Sequence, residues 1–263
     1  MKNSHALRYG VFILALLIVF SIFNTVVYAD ELIAFNNNSK NASIQKLPKE
    51  VFLTFDDGPS VNNTKKILKI LNDNNIKATF FIVGIKAEEN PAALKELSNN
   101  GMCIGVHSYS HDYKKIYKSS TAYINDYEMC RNTIRKITNK EPMNYTRLPG
   151  GSTNLITSKA NLNLIKKALN DNGIKYVDWN VCSGDADSHE VPVGKIKRNV
   201  KNQCQDKKIA VILMHDTYYK HFTVESLPET ITYLKNQGFV FRTFADLTES
   251  EEKELMHLGI INK

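Results

Sequence analysis

A single-domain α/β fold, a distorted β/α barrel of about seven parallel strands, is the class this sequence predicts, and three observations predict it. Seven short apolar runs alternate with amphipathic segments from residue 50 onward. Three of the amphipathic segments end in an Asn-containing stretch and a glycine just before the next run. Polar residues of catalytic type follow the runs directly, which is where a barrel of parallel strands gathers its chemistry.

The runs are 51–55, 78–83, 102–107, 144–148, 175–180, 209–214 and 239–243. The first, "VFLTF", stops at two carboxylates, Asp56 and Asp57, before Gly58 and Pro59 force a turn. Next comes "TKKILKILNDNN", with Ile67, Leu68 and Leu71 at helical spacing. In "NPAALKELSNNG", Pro91 stands near the start and Gly101 past the end, the asymmetry expected of a helix. "NLNLIKKALNDNG" and "TVESLPETITYLKNQG" repeat that device with Gly173 and Gly238, and "VGKIKRNVKNQC" reads as one more helix. The rhythm of strand, helix, strand implies parallel strands joined by helical crossovers.

Composition sets the bounds. The chain has 263 residues, 43% of them hydrophobic and 10% aromatic, which is enough for a sizeable core and argues against disorder. The formal charge of +7 comes from basic residues scattered along the helical segments. No dense Arg/Lys block with interleaved aromatics occurs, so nucleic acid is not an expected partner.

Lys2 and Arg8 precede an apolar stretch, and Val27 and Ala29 flank Tyr28 at the spacing of a cleavage site. Residues 1–29 read as an export signal cut after Ala29, or as an uncleaved membrane anchor through 9–28, 20 mostly apolar residues. Either reading places the rest of the chain outside the cytoplasmic membrane: extracellular, wall-associated or anchored on the membrane's outer face. Residues 30–48 are Asn/Ser-rich and read as a linker, 49–248 as the catalytic domain and 249–263 as a C-terminal tail. A monomer is expected. Four cysteines, Cys103, Cys130, Cys182 and Cys204, permit two disulfides in an exported chain. A bridge between Cys182 and Cys204 would hold the "SGDAD" loop, and Cys103 and Cys130 could form a second; buried free thiols are the alternative. No CxxC pattern suggests a cysteine zinc site.

The chemistry lies at the run ends. "HSYSH" carries His107 and His111, four apart, a spacing that in a helical turn puts both rings on one face. Two imidazoles with one carboxylate make a three-ligand metal site with a position left open, and a second carboxylate beside it can serve as general base. "RLPGG" with Arg147, "CSGDAD" with Asp185 and "LMHD" with His215 follow at later strand ends.

With "TFDDGPS", "HSYSH", "RLPGG", "DWNVCSGD" and "LMHD" in this order, the sequence resembles the polysaccharide deacetylases, carbohydrate esterase family four with the NodB-homology domain, and within it the peptidoglycan N-acetylglucosamine deacetylases. The resemblance covers roughly 48–248. It implies Asp56 as general base and Asp57, His107 and His111 as ligands of a divalent metal, usually zinc, with cobalt an alternative. It implies Arg147 as partner of the base, His215 as general acid and Asp185 as the carboxylate that tunes it. Pro149, Gly150 and Trp179 are the substrate-binding residues it implies. The expected activity is removal of N-acetyl groups from an N-acetylhexosamine polymer, above all peptidoglycan N-acetylglucosamine, a cell-wall glycan. An O-deacetylase of acetylated xylan and an inactive wall-binding protein are the rival readings. Where many relatives have an Asp-x-x-Asp-Trp string, Cys182 stands at the first Asp and Ala186 at the Trp, so Asp185 and Asp187 both stay open as the tuning residue.

Overall fold

The computed structural model describes residues 48–263. The apolar segment 9–28, the cut after Ala29 and all but the last residue of the linker lie outside the described residues. One compact unit runs from Pro48 to Lys263. Among the described residues no helix is long and apolar enough to cross a membrane.

Strand and helix alternate in the expected order. β1 (Lys49–Gly58) leads through α1 (Asn63–Asp73) to β2 (Thr79–Val83). Two helices, α2 (Gly84–Glu89) and α3 (Pro91–Asn99), connect to β3 (Cys103–Ser108). The short α4 (Tyr113–Ile116) and the long α5 (Ser120–Thr138) precede β4 (Tyr145–Thr146). α6 (Lys159–Asp171) leads to β5 (Lys175–Tyr176) and then to β6 (Val181–Cys182) with no helix between these two strands. α7 (Val193–Cys204), β7 (Ile209–His215), α8 (His221–Asn236), β8 (Phe239–Phe241) and α9 (Glu249–His257) complete the chain. Gly101, Gly173 and Gly238, at the three predicted helix ends, have φ of 68°, 70° and 79°, the left-handed region that a side chain disfavours.

The strand order is β5-β4-β3-β2-β1-β7-β6, all parallel, with β8 paired to the first residues of β1. This order proves the curl. Laid flat, seven strands would separate β5 from β6 by about 29 Å, at roughly 4.8 Å per step. The link from Tyr176 to Val181 can reach at most about 18 Å when fully extended. The two edges must therefore bend toward each other, and the barrel stays open between them. The predicted run 175–180 is thus cut short: β5 ends at Tyr176, the second edge strand β6 begins at Val181 just past the run, and Asn180 before it ties to β7 by side-chain bonds with Val211 N–H (2.8 Å) and the Ile209 carbonyl (3.0 Å).

The period of two sorts the side chains into two cores. Val51, Leu53 and Phe55 on β1, Ile104 and Val106 on β3, and Ala210, Ile212 and Met214 on β7 face the helices. Phe52, Phe81, Cys103 and Val211 face the concave side, with Phe244. Each of these buried Phe, Leu and Ile side chains contributes roughly 1.5–3 kcal/mol by leaving water. Alternation carries Asp56, His107 and His215 to the concave face at three strand ends. The segment 249–263 closes the other end of that face. Leu255, Ile260 and Ile261 join its core, and Ile261 bridges to Val177.

The cysteines are free thiols, which corrects the expectation of bridges. Cys204 is buried in the helix-side core. Its neighbour Gln203 makes the tie to β6, accepting from Cys182 N–H (2.9 Å) and donating to the Cys182 carbonyl (2.8 Å). Cys103 and Cys130 belong to the two different cores, with the sheet between them.

Candidate active site

Adjacent side chains on a regular strand point to opposite faces, yet Asp56 and Asp57 serve one cleft. The pairing of β1 with β2 shifts register between Asp56 and Gly58, and Asp57 has φ 71°. Asp57 is therefore a bulged residue, re-aimed at the cost of left-handed backbone. Asp216, just past β7, holds this turn. Asp216 accepts from Ser60 Oγ (2.9 Å) and Thr64 Oγ1 (2.5 Å), and its own N–H donates to the Asp56 carbonyl (2.8 Å). A Cβ at Gly58 would stand 2.6 Å from Asp216 Oδ2, so only glycine lets the turn close on it. Burial is what drives the Asp216 carboxyl up to about 7.

Asp57 Oδ1 lies 3.3 Å from His107 Nε2 and 3.2 Å from His111 Nε2. His107 is the next-to-last residue of β3, but His111 follows in a loop with φ 51°, so the expectation of a helical turn is corrected. What brings the rings together is Asp126 on α5. It accepts from Ser108 Oγ (2.6 Å), Tyr109 N–H (2.6 Å), Ser110 N–H (3.1 Å) and Ser110 Oγ (2.7 Å). Ser108 Oγ in turn accepts from His111 N–H (2.9 Å).

The donor set suits a cation. His107 Nδ1–H donates to the Arg147 carbonyl (2.7 Å), which leaves Nε2 as a lone pair directed at Asp57. Asp57 Oδ1 is buried without a hydrogen-bond partner. Three ligand atoms of Asp57, His107 and His111 lie within 4.8 Å of one another. Burial alone would lower the His111 pKa, but the carboxylate of Asp57 close by overcomes it and raises it. Burial likewise opposes ionisation of Asp57, and the two imidazoles hold its carboxyl well below the usual range. One carboxylate and two imidazoles of this kind are zinc-type ligands.

Asp56 (3% exposed) accepts from Arg147 Nη1 at 2.9 Å. Arg147 is fully buried; it also donates to Thr54 Oγ1 (2.6 Å) and to the Val177 and Asp178 carbonyls (both 3.2 Å). Its guanidinium lies between the rings of Phe81 (4.4 Å) and Trp179 (5.6 Å). His215, register partner of Asp56 on β7, has Nδ1 2.8 Å from Asp185 Oδ1. Asp185 Oδ2 accepts from His215 N–H (2.8 Å) and Thr223 Oγ1 (2.9 Å). Burial would pull the imidazole down, but the Asp185 bond and charge push it up to about 9. Asp185 is held below its usual value by His215, against the pull of burial. Asp187 is exposed and paired with Lys195 (2.7 Å), so Asp185 is the partner of His215.

A cavity of about 400 Å³ opens beside Asp57 and His111, bordered by Pro59, Val83, Lys86 and Tyr218. Pro149, Gly150 and Trp179 are not among its walls. The Pro149 carbonyl accepts from the Tyr117 hydroxyl (2.7 Å), Gly150 is exposed at φ 81°, and Trp179 backs Arg147 and packs under Gly151. Sequence reasoning missed Asp126 and Asp216. Asp216 sits visibly in "LMHD", whereas nothing local marks Asp126.

A family model described as polysaccharide deacetylase matches residues 44–177. A peptidoglycan-N-acetylglucosamine deacetylase of Bacillus cereus is 33% identical over 200 residues, 74% of this chain and 69% of that protein. A putative polysaccharide deacetylase of Bacillus subtilis is 31% identical over 201 residues, 75% of this chain and 68% of that protein. Among solved structures, the catalytic domain of a peptidoglycan N-acetylglucosamine deacetylase from Eubacterium rectale is similar at a TM-score of 0.70 and 31% identity, covering 79% of this chain and 92% of that one.

Proposed function

This chain belongs to the polysaccharide deacetylase family, a family of hydrolases, and from that premise we propose that it removes N-acetyl groups from peptidoglycan N-acetylglucosamine, releasing acetate. One observation carries the reading: three metal-type ligands converge beside a buried Asp56–Arg147 pair and a buried Asp185–His215 pair at neighbouring strand ends.

Each residue then has one task. Asp57, His107 and His111 would hold a divalent cation, zinc in this reading, which supplies Lewis acidity toward an acyl oxygen and water. Asp56 accepts the proton of the attacking water, and Arg147 keeps that carboxylate oriented. His215 donates its Nδ1–H to the Asp185 carboxylate and delivers the Nε2 proton to the nitrogen as the C–N bond breaks and its electron pair returns to nitrogen. The products are a sugar amine and acetate. A leaving amine needs this proton more than a leaving alcohol does, so the Asp185–His215 pair favours N-acetyl over O-acetyl substrates. The intact set of Asp56, Asp57, His107, His111 and His215 argues against a wall-binding protein that has lost catalysis. The N-terminal 29 residues, as signal or anchor, would deliver the domain to the wall.

The test is direct. Purified protein is incubated with peptidoglycan, and released acetate and new free amines are both counted. The reading expects them in equal amounts. Acetate without amines would mean O-deacetylation, and neither would leave only a binding role.

A further inference from the structure

The loop that carries Asp185 is Gly- and Ser-rich, "SGDADSH", and has no regular structure after β6. Its placement against His215 decides whether the imidazole can hold and aim its proton. Thr223 fixes one carboxylate oxygen, and Asn199 Nδ2 donates to the Ser183 carbonyl (3.0 Å) at the start of the loop. Neither reaches the loop's second half.

Lys220, the residue just before α8, does. It is 6% exposed, rare for a lysine. Its Nζ donates to the carbonyls of Asp185 (2.7 Å), Ser188 (2.7 Å) and His189 (3.3 Å). All three ammonium protons thus go to backbone carbonyls of this one loop. Tyr219 supports the same contact: its ring lies 4.9 Å from Lys220 Nζ and stacks on the His189 ring at 4.7 Å. Burying an ammonium group is costly unless its donors are satisfied, and neutral carbonyls satisfy these without neutralising the charge. That charge stays beside Asp185 and favours its ionised form, the form that accepts from His215. The titratable groups around Asp185 are His215, Lys220, the Cys182 thiol and, on the outer side of the loop, Asp187 with its partner Lys195.

We infer that Lys220 is a positioning residue for the proton donor, holding Asp185 against His215 by gathering the loop 183–189 around its ammonium. The inference rests on the reading of His215 as general acid. It predicts a loss that depends on the leaving group. An N-acetylglucosamine oligomer releases an amine that needs a proton, whereas p-nitrophenyl acetate releases a phenolate that needs none.

The experiment measures turnover of both substrates, with metal content and melting temperature, in the full chain and in variants. His215→Gln sets the scale: its amide-to-ester ratio should fall on the order of 100-fold, as for loss of a general acid. Lys220→Met should lower that ratio about tenfold, a fraction of the general-acid effect, through turnover rather than KM. Lys220→Arg, which keeps charge and donors, should restore most of it. If Lys220→Met does not fold, Lys220→Gln, which keeps two donors and loses the charge, is read in its place. A wild-type ratio in the folded neutral variant overturns the inference, and so does an equal loss on both substrates. If His215→Gln leaves the ratio unchanged, the reading of His215 itself fails, and the inference falls with it.

Discussion

The side of the cleft proposed to hold the metal, the ligand side, and the side proposed to transfer protons grow from the ends of nearby strands, but they are held in opposite ways. Asp57 and His111 sit on left-handed backbone, at φ 71° and 51°, and Asp57 Oδ1 is buried with no donor. Asp56 and His215 continue regular strands, and each already has a buried partner of opposite charge type, Arg147 and Asp185. The ligand side collects acceptors that a cation would reconcile. The proton side is complete within the protein. A site of the first kind should depend on what it binds, whereas one of the second kind should depend on its internal pairs.

Substitution should separate the two sides. His107→Ala is expected to have the largest effect. Divalent-ion content should fall from about one per chain, and amide hydrolysis should drop on the order of 1,000-fold, since Lewis-acid stabilisation is worth several kcal/mol at 1.4 kcal/mol per decade. Elemental analysis with an acetate assay checks both numbers. His215→Asn should keep the ion and lose about 100-fold or more in turnover on an N-acetyl glycan. Loss of the ion in that variant would dissolve the distinction between the sides. Asp126→Ala touches no ligand directly, yet it releases the loop that aims His111. Zinc affinity measured by calorimetry should weaken roughly 10-fold, the usual result of removing such support.

The smallest effect is in the pH response. The His215 pKa lies above that of a free imidazole, near 9, so its proton is kept through neutral pH and lost as pH rises through about 9. Turnover should therefore fall along a basic limb near that value. The stabilisation from the Asp185–His215 pair should follow the same sign. It is fully present below the free-imidazole pKa of about 6.5 and lost as pH climbs through about 9. The melting-temperature gap between the parent and His215→Asn should accordingly narrow at high pH.

Much of this arrangement is legible in the sequence, for a physical reason. The apolar runs 51–55 and 209–214 stop at Asp56 and His215, which marks both as strand-end residues, and helix stops at Gly101, Gly173 and Gly238 mark where strands begin. What escapes is whatever depends on non-local geometry. The "HSYSH" spacing suggests a helix, but a carboxylate 15 residues beyond His111, Asp126, bends a loop instead. The end of β5 at Tyr176 and the start of a second edge strand at Val181 follow from the curl of the whole sheet, not from any local signal. Trp179 reads as a cleft aromatic until Arg147 is seen to rest on it. Cys182 and Cys204 are a plausible pair along the chain, but the side chain that reaches β6 is Gln203.

The central claim is that two neighbouring carboxylates belong to the two different sides, Asp57 to the cation and Asp56 to the proton. The most direct measurement compares Asp56→Asn with Asp57→Asn, reading bound divalent metal and acetate release from peptidoglycan on the same preparations. The account predicts that Asp56→Asn retains about one ion per chain and loses turnover by roughly 100- to 10,000-fold, whereas Asp57→Asn loses both. Parental turnover in Asp56→Asn, or an intact metal site in Asp57→Asn, would contradict it.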